Sequence, residues 1–574
     1  MTDIFSVFQG ADESLVGVYI GILRWVAPVL AAFLLFRCIR PLLTFRREPE
    51  IWGWLHLSNE RKLSITHWET VIGRSKASDI VIDFPTVSRT HAVLTRYDDG
   101  SWSIANADSK DGVFVNGQRI DGIYPLQTED IISVGGVEMY LQPISHRQEQ
   151  RLAQLRTKAS SPVAAMTNTL LLTVLQLAFC IAFLFGAAPE NARSLVMGFG
   201  GIVVCQWLLL LFYFCIRRTG FEVETIAFFL CTMGMCVIAT VAPGEAVKQL
   251  IALVLGIVLF LLVGWSVRKV RRLETFRYVA AVAGIGFLLV TLVFGTEYYG
   301  AKNWLMIGSF SLQPSELTKV CFVYMGAATM AQIVTRKNIL AFIVYSILIC
   351  GCLALMNDFG TALIFFCAFL IVAYMRSGNM GTVALAITAL VFAGVVALKI
   401  APHALRRFAS WRHIWEDPFD AGYQQTQALM CMASGGLLGL GAGKGLMRKI
   451  FAADSDVAVA TLAEEWGIVM LILVILCVVA LAVFSVRTAS MGRSSFFIIG
   501  ACTASGILLV QVILNALGTV DVLPLTGVTF PFLSNGGSSM MGAWGLLAFI
   551  KAADTRQNAS FAVRIMKHGG DEDE

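Results

Sequence analysis

The chain has 574 residues and a formal net charge of +5, yet only 14% of its residues are charged while 57% are hydrophobic, at a mean hydropathy of +0.71. A soluble globular domain carries about 25% charged residues, so this composition excludes a protein folded wholly in water and puts most of the chain in lipid. The 13 cysteines lie mostly in apolar stretches, as Cys180, Cys205, Cys321 and Cys367 do, without CxxC pairs or histidines at ligand spacing. They read as small core residues and reveal no redox compartment.

The first apolar stretch, about Leu15 to Phe36, follows an acidic start and contains Arg24, so it reads as a retained span rather than a cleavable signal. Between residues 51 and about 142 the pattern changes to short alternating strands, among them Asp79 to Asp83, Ala92 to Arg96 and Ser101 to Ile104, broken by Asp/Gly turns. A soluble β-sandwich of about 90 residues is therefore expected between the first and second spans. Beyond residue 160, at roughly 20 residues per crossing, about twelve spans start near Thr167, Ser194, Val223, Glu245, Arg277, Ser315, Asn338, Phe359, Gly381, Val459, Ser495 and Phe530. With the first, they make a polytopic α-helical protein of about thirteen transmembrane helices. Helices are expected because nothing alternates as a barrel strand would.

Basic clusters orient the chain. Those at Arg37 to Arg47, Arg217 and Arg218, Arg268 to Arg272, Arg336 and Lys337, Arg376, Arg487 to Arg493 and Lys551 to Lys567 all fall on one side if the N-terminus is outside and the C-terminus cytoplasmic. The soluble unit is then cytoplasmic. The long loop 401–458 is outside although it carries Arg406, Arg407, Arg412, Lys444, Arg448 and Lys449. That loop reads either as a solvated basic segment or as an anion site holding lipid-headgroup phosphates.

Within the soluble unit stand Gly73-Arg74-Ser75, Val87-Ser88-Arg89-Thr90-His91-Ala92, Ser109-Lys110-Asp111-Gly112 and Val115-Asn116-Gly117. This order resembles the forkhead-associated (FHA) signature, whose members are β-sandwiches that bind phosphothreonine peptides through their loops. The resemblance implies that Arg74 and Ser88 contact phosphate, that Arg89 and Lys110 support them and that His91 braces the loop. A guanidinium, a hydroxyl and backbone donors converging on a dianion suit that role; the other reading is a purely structural sandwich. Asp111-Gly112-Val113 departs from the family's usual Asn-Gly-Thr.

In the membrane part, charged residues inside spans are functional candidates. Pro314 suits the start of a helix, and Glu316 and Lys319 share its face, either as a structural ion pair or at a substrate site. Gly300-Ala-Lys-Asn-Trp304 and Gln313-Pro-Ser-Glu-Leu-Thr-Lys319 open an ordered set of motifs. It continues through Asp358-Phe-Gly-Thr361, Asp417-Pro418, Gly422-Tyr-Gln424 with Gln427, Ser434-Gly-Gly436, Gly443-Lys-Gly445, Asp456, Glu464-Glu465-Trp-Gly467, Leu523-Pro524, Gly527, Pro531 and Ser534-Asn-Gly-Gly-Ser538. The set resembles the shape, elongation, division and sporulation (SEDS) family, which includes RodA and FtsW.

That resemblance implies a ten-helix peptidoglycan polymerase joining lipid II units outside the cytoplasmic membrane, with a class B penicillin-binding protein as partner. It leaves two extra helices, near 167 to 188 and 194 to 216, without a functional account. It marks Asp456 as the catalytic carboxylate, whereas the residue alone reads as a helix N-cap on a wet loop. Lys444, Arg406 and Arg407 are candidates for the pyrophosphate, a role a divalent cation, magnesium or manganese, could share. No protein metal site is expected. Asp454 stands where relatives often have His, Met356-Asn357 replaces Gln-Pro, and Asn535 replaces the common Tyr.

The expected domains are an N-terminal helix and linker (1–50), the FHA unit (51–143), a linker with the two extra helices (144–222), the SEDS-like domain (223–555) and a cytoplasmic tail (556–574). Expected partners are the membrane, lipid II, the penicillin-binding protein and a phosphothreonine protein of a Ser/Thr kinase pathway, but not nucleic acid. A transporter (flippase) of the same lipid precursor and a non-catalytic scaffold are the alternative readings.

Overall fold

The computed structural model describes residues 12–44, 50–58, 61–76, 78–97, 100–107, 109–145, 147–148, 162–268, 270–298, 301–308, 310–331, 336–378, 380–400, 405, 408–420, 422–489, 494–556 and 560. Arg406 and Arg407 lie outside the described residues.

The soluble unit is a two-sheet sandwich. Its strands are β1 (Gly53–Leu57), β2 (Lys62–Ile65), β3 (Glu69–Gly73), β4 (Ile80–Val81), β5 (Ala92–Arg96), β6 (Trp102–Asn106), β7 (Val113–Val115), β8 (Gln118–Arg119), β9 (Ile123–Leu126), β10 (Ile131–Val134) and β11 (Val137–Pro143). One sheet runs β2-β1-β11-β10-β7-β8 and the other β4-β3-β5-β6-β9. Side chains pointing inward from both sheets, including Leu55, Ile72, Leu94, Ile104, Val113 and Ile132, form its core. At one end Arg96 stacks 4.4 Å from the ring centroid of Trp52.

The helices are α1 (Glu13–Thr44), α2 (Val163–Gly186), α3 (Pro189–Cys215), α4 (Glu222–Val241), α5 (Ala246–Ser266), α6 (Val270–Phe294), α7 (Pro314–Ala331), α8 (Arg336–Leu355), α9 (Phe359–Ser377), α10 (Met380–Ile400), α11 (Tyr423–Gly435), α12 (Ala458–Ala489), α13 (Ser495–Thr519) and α14 (Gly537–Ala552). Among the described residues, 10 helical segments are long and apolar enough to cross a membrane, which makes this a multi-pass membrane protein. Of three further helices at expected spans, α7 (18 residues) carries Glu316 and Lys319, α14 has only 16 residues, and α10 is an apolar helix of 21 residues. The last helix starts at Gly537, not near Phe530, and residues 530–536 are irregular. Strands β12 (Thr296–Tyr298), β13 (Ala301–Ile307) and β14 (Phe310–Leu312), not expected from the sequence, join α6 to α7.

The two extra helices are built into the bundle. Gln176 on α2 and Gln206 on α3 exchange amide hydrogen bonds of 2.9 and 3.1 Å, and Gln176 also donates to Thr232 on α4 at 3.0 Å. Paired amides satisfy groups that lipid could not. α1 packs on α2, α4 and α12, with the Arg37 guanidinium donating to Asn168 (2.8 Å) and Thr167 (2.7 Å) of α2. Covered on all sides, α4 has an apolar window that is 100% buried. The 13 cysteines are free thiols, and most are buried or half-buried.

The sandwich also touches the membrane bundle directly. The buried Glu69 carboxylate accepts from the Ser494 hydroxyl and the Ser495 N–H, both at 2.8 Å, at the start of α13. A carboxylate at a helix N-terminus meets free N–H groups and the positive end of the helix dipole. Burial nevertheless pushes the Glu69 carboxyl up from 4.5 to about 7. A carboxyl raised in this way stabilises the contact fully below its unperturbed value, and that contribution is lost as pH rises through about 7. The shift corresponds to about 3 kcal/mol. Energy transfer between labels on the sandwich and on the N-terminal end of α13 should therefore fall as pH goes from 5 to 8, and Glu69→Gln should flatten that profile. An identical pH profile in Glu69→Gln would remove Glu69 as its source.

Candidate active site and phosphate-reading loops

Around Asp456 the backbone is folded tightly. Ala452 adopts φ 53, and its carbonyl accepts N–H groups from Ser455, Asp456 and Val457 at 3.2, 3.1 and 3.3 Å. Such a left-handed non-glycine residue is costly and persists only when its surroundings hold it. They do so from two directions. Asn515 on α13 donates to the Asp456 carbonyl at 2.9 Å, and the segment before α14 straps the turn through Ser534 Oγ to Ser455 O (2.6 Å) and Asn535 N to Asp454 O (2.7 Å). The Asp456 side chain, fixed by its backbone, stays half-buried.

Two of the departures from the family pattern meet here. The Asn535 amide donates to the Asp454 carboxylate at 2.8 Å, so a hydrogen bond orients this second carboxylate. Among the described residues no group of three or more His, Cys, Asp or Glu could hold a metal. A magnesium ion commonly takes only one or two protein carboxylates, with water and substrate phosphates completing its shell.

Lys444 is exposed on a glycine-rich turn that re-enters the bundle. Its N–H donates to Gly441 O at 3.2 Å. The turn is held by two glutamates well inside α12: Glu464 accepts from the N–H groups of Leu446 (2.8 Å) and Met447 (2.9 Å), and Glu465 from Gly445 N–H (3.4 Å) and the Thr240 hydroxyl (2.6 Å). α12 itself breaks at Gly467, φ 84 and ψ 163. There the N–H of Ile468 donates to Gly436 O at 3.0 Å and that of Val469 to Leu437 O at 3.2 Å. Irregular backbone at membrane depth is tolerable where protein satisfies it in this way. The loop 401–458 is thus partly a re-entrant structure containing α11. The positioning roles of Glu464, Glu465, Asn515 and Ser534 escaped the sequence reading; adjacent carboxylates inside an apolar helix were the available signal.

A second polar cluster lies between α7 and α9. Lys319 Nζ is 2.7 Å from Glu316 Oε1, both buried. Asp358, within electrostatic reach of the pair, caps α9 by accepting from Thr361 N–H at 3.0 Å. It also accepts from Asn303 of β13 at 2.9 Å. The Gln313 N–H donates to Ser538 Oγ at 3.0 Å. The Ser534-to-Ser538 segment therefore bridges both clusters, with Asp454 and Ser455 at one end and Gln313 at the other.

On the sandwich, Arg74, Ser88 and Arg89 come together because the Arg74 N–H donates to Ser88 O (2.9 Å) and the Ser75 N–H to Arg89 O (3.0 Å). The Arg74, Arg89 and Lys110 side chains are exposed. Buried His91 accepts from Ser88 N–H at Nδ1 (3.1 Å) and meets Gly112 O at Nε2 (2.9 Å), so it braces the serine loop and also ties it to the loop of Lys110. Gly112 takes φ 79 beside the Arg119 guanidinium, which a Cβ would strike at 2.8 Å. The departing residue Asp111 is exposed.

Comparison with known proteins follows this division. The FHA family model matches residues 70–135. A peptidoglycan glycosyltransferase RodA of Mycobacterium tuberculosis is 29% identical over 325 residues, 53% of this chain and 69% of that protein. A probable peptidoglycan glycosyltransferase FtsW of Coxiella burnetii is 30% identical over 309 residues, 51% of this chain and 82% of that protein. The solved rod shape determining protein RodA of Thermus thermophilus is 23% identical, with a TM-score of 0.41, over 57% of this chain and 94% of that one. Because the FtsW, RodA and SpoVE model described as "cell cycle protein" matches residues 240–558, more than half of the sequence, the chain belongs to that family and carries an FHA domain ahead of the matched region.

Proposed function

We propose that this chain is a peptidoglycan glycosyltransferase that polymerises lipid II at the outer face of the cytoplasmic membrane, with Asp456 as general base. The observation that carries the reading is the doubly strapped turn at Asp456, held by Asn515 and Ser534 beside the re-entrant Lys444 turn. The reaction displaces a polyprenyl pyrophosphate from the anomeric carbon of one lipid-linked disaccharide by a sugar hydroxyl of another. Asp456 takes the hydroxyl proton, and cations of the outer loop, Lys444 first, stabilise charge on the departing pyrophosphate. Glu464 and Glu465 keep the Lys444 turn in place. A divalent cation at Asp454 and Asp456 would supply further charge for the leaving group.

The arrangement of basic clusters supports an outside N-terminus and a cytoplasmic sandwich and C-terminus. The contact of Glu69 with Ser494, beside the basic segment 487–493, agrees with that orientation. Lipid II and a class B transpeptidase are the proposed partners in the wall. Incubating the purified protein in liposomes with lipid II, with and without that partner, tests the reading by formation of glycan chains. Lipid II translocation without polymerisation would favour the transporter instead.

In the cytoplasm, the FHA domain binds a phosphothreonine protein through Arg74 and Ser88, with Arg89 and Lys110 beside them. Arg74→Ala removes a charge-assisted contact of about 1.5–3 kcal/mol and should weaken a phosphothreonine peptide roughly 10- to 100-fold. The purified variant should polymerise at the basal rate when no phosphorylated partner is present. Calorimetric titration of phosphorylated and unphosphorylated peptides checks the first statement, and equal affinity for the two would refute it.

A further inference from the structure

We infer that Arg24, on the N-terminal helix outside the family-matched region, joins Lys444 in binding the pyrophosphate of the lipid-linked donor. The inference rests on the proposed function and adds a substrate-binding residue to it.

Three observations converge. First, α1 is built against the Lys444 turn: a Cβ on Gly441 would meet Ile20 Cγ2 at 2.4 Å and Arg24 Cδ at 3.7 Å, and Gly441 O accepts the Lys444 N–H. Gly441 adopts φ 101, so both its backbone and the closeness of α1 call for glycine there. Second, Arg24 is half-buried and its Nε is sealed from solvent without a hydrogen-bond partner. Among the described residues no carboxylate pairs with it, whereas Arg37 on the same helix donates from Nε to Asn168 and from Nη2 to Thr167. Third, the depth is right. Arg24 and Arg37 are 13 positions apart, about 20 Å of helix, so with Arg37 at the inner boundary Arg24 lies within about 10 Å of the outer edge of a 30 Å core. From there a guanidinium reaches the headgroup layer.

An arginine kept inside a span without a protein anion calls for an external one. Its planar fork suits phosphate oxygens, and Lys444 on the adjoining turn supplies a second charge. A phosphate there could come from the lipid-linked pyrophosphate or from an anionic phospholipid. The glycine-rich turn, shared with the catalytic helix α12 through Glu464 and Glu465, favours the pyrophosphate.

The test uses the full chain in nanodiscs of neutral phosphatidylcholine, with farnesyl pyrophosphate as binding probe and lipid II as substrate. Arg24→Ala should weaken farnesyl pyrophosphate binding about tenfold or more and raise the KM for lipid II more than it lowers kcat. Arg24→Lys, which keeps the charge, should fall between. Equal binding by wild type and Arg24→Ala overturns the inference. So does a difference that appears only when phosphatidylglycerol is added, since the ligand is then the phospholipid. If both variants lose binding together with a lower unfolding temperature, Arg24 is structural and the inference is also wrong. The binding arm reads out even if the wild type does not polymerise lipid II, so failure of the functional proposal remains distinguishable.

Discussion

Asp456→Asn is expected to lower glycan polymerisation by roughly 10²- to 10⁴-fold, the usual loss when a general base is removed. The substitution is nearly isosteric. The contacts that fix the turn, from the Asp456 N–H to Ala452 and from Asn515 to the Asp456 carbonyl, use backbone atoms. The variant should therefore insert and unfold like the wild type, leaving loss of proton abstraction as the cause of the lower rate. Gel analysis of glycan products from lipid II, alongside a thermal unfolding curve, checks both statements. Full activity in a folded Asp456→Asn protein would remove this carboxylate from the mechanism.

Local pattern revealed the sandwich, the apolar helices and the start of α7 at Pro314, because alternation, span length and proline placement each report on a single stretch of chain. The bracing role of His91 came from the FHA resemblance, carried by a short loop motif. Contacts between distant residues were not legible. Asp454 and Asn535 read as two separate departures, and only the fold, bringing together residues 81 apart, makes them hydrogen-bonding partners. Glu69 meets Ser494 across 425 residues, a contact that no local pattern in either segment announces. This contact sits at a helix N-terminus, and the loop of Arg74, proposed to bind phosphopeptide, follows the far end of the same strand, β3. The re-entrant turn was hidden because its glycines look like ordinary loop residues until Glu464 and Glu465 are seen gathering its N–H groups from inside a span.

The other large effect is expected at the buried pair on α7. Lys319 and Glu316 have side chains only 1% and 6% exposed, and removing one partner of such a pair typically costs 3–5 kcal/mol. Glu316→Ala should approach that range. Glu316→Ala with Lys319→Ala should cost less than the sum of the single changes, because no charge is left unpaired. Activity should fall with stability. Glu316 packs so closely on α14 that a Cβ on Gly542 would be 2.9 Å from its carbonyl oxygen. The neighbouring Gln313 N–H bond to Ser538 ties the same helix to the strap over Asp456. Unfolding free energies of the four proteins in detergent give the coupling directly. Costs that add within about 0.5 kcal/mol would mean that the two residues do not interact. A lone loss of activity without loss of stability would instead point to contact between this pair and the substrate.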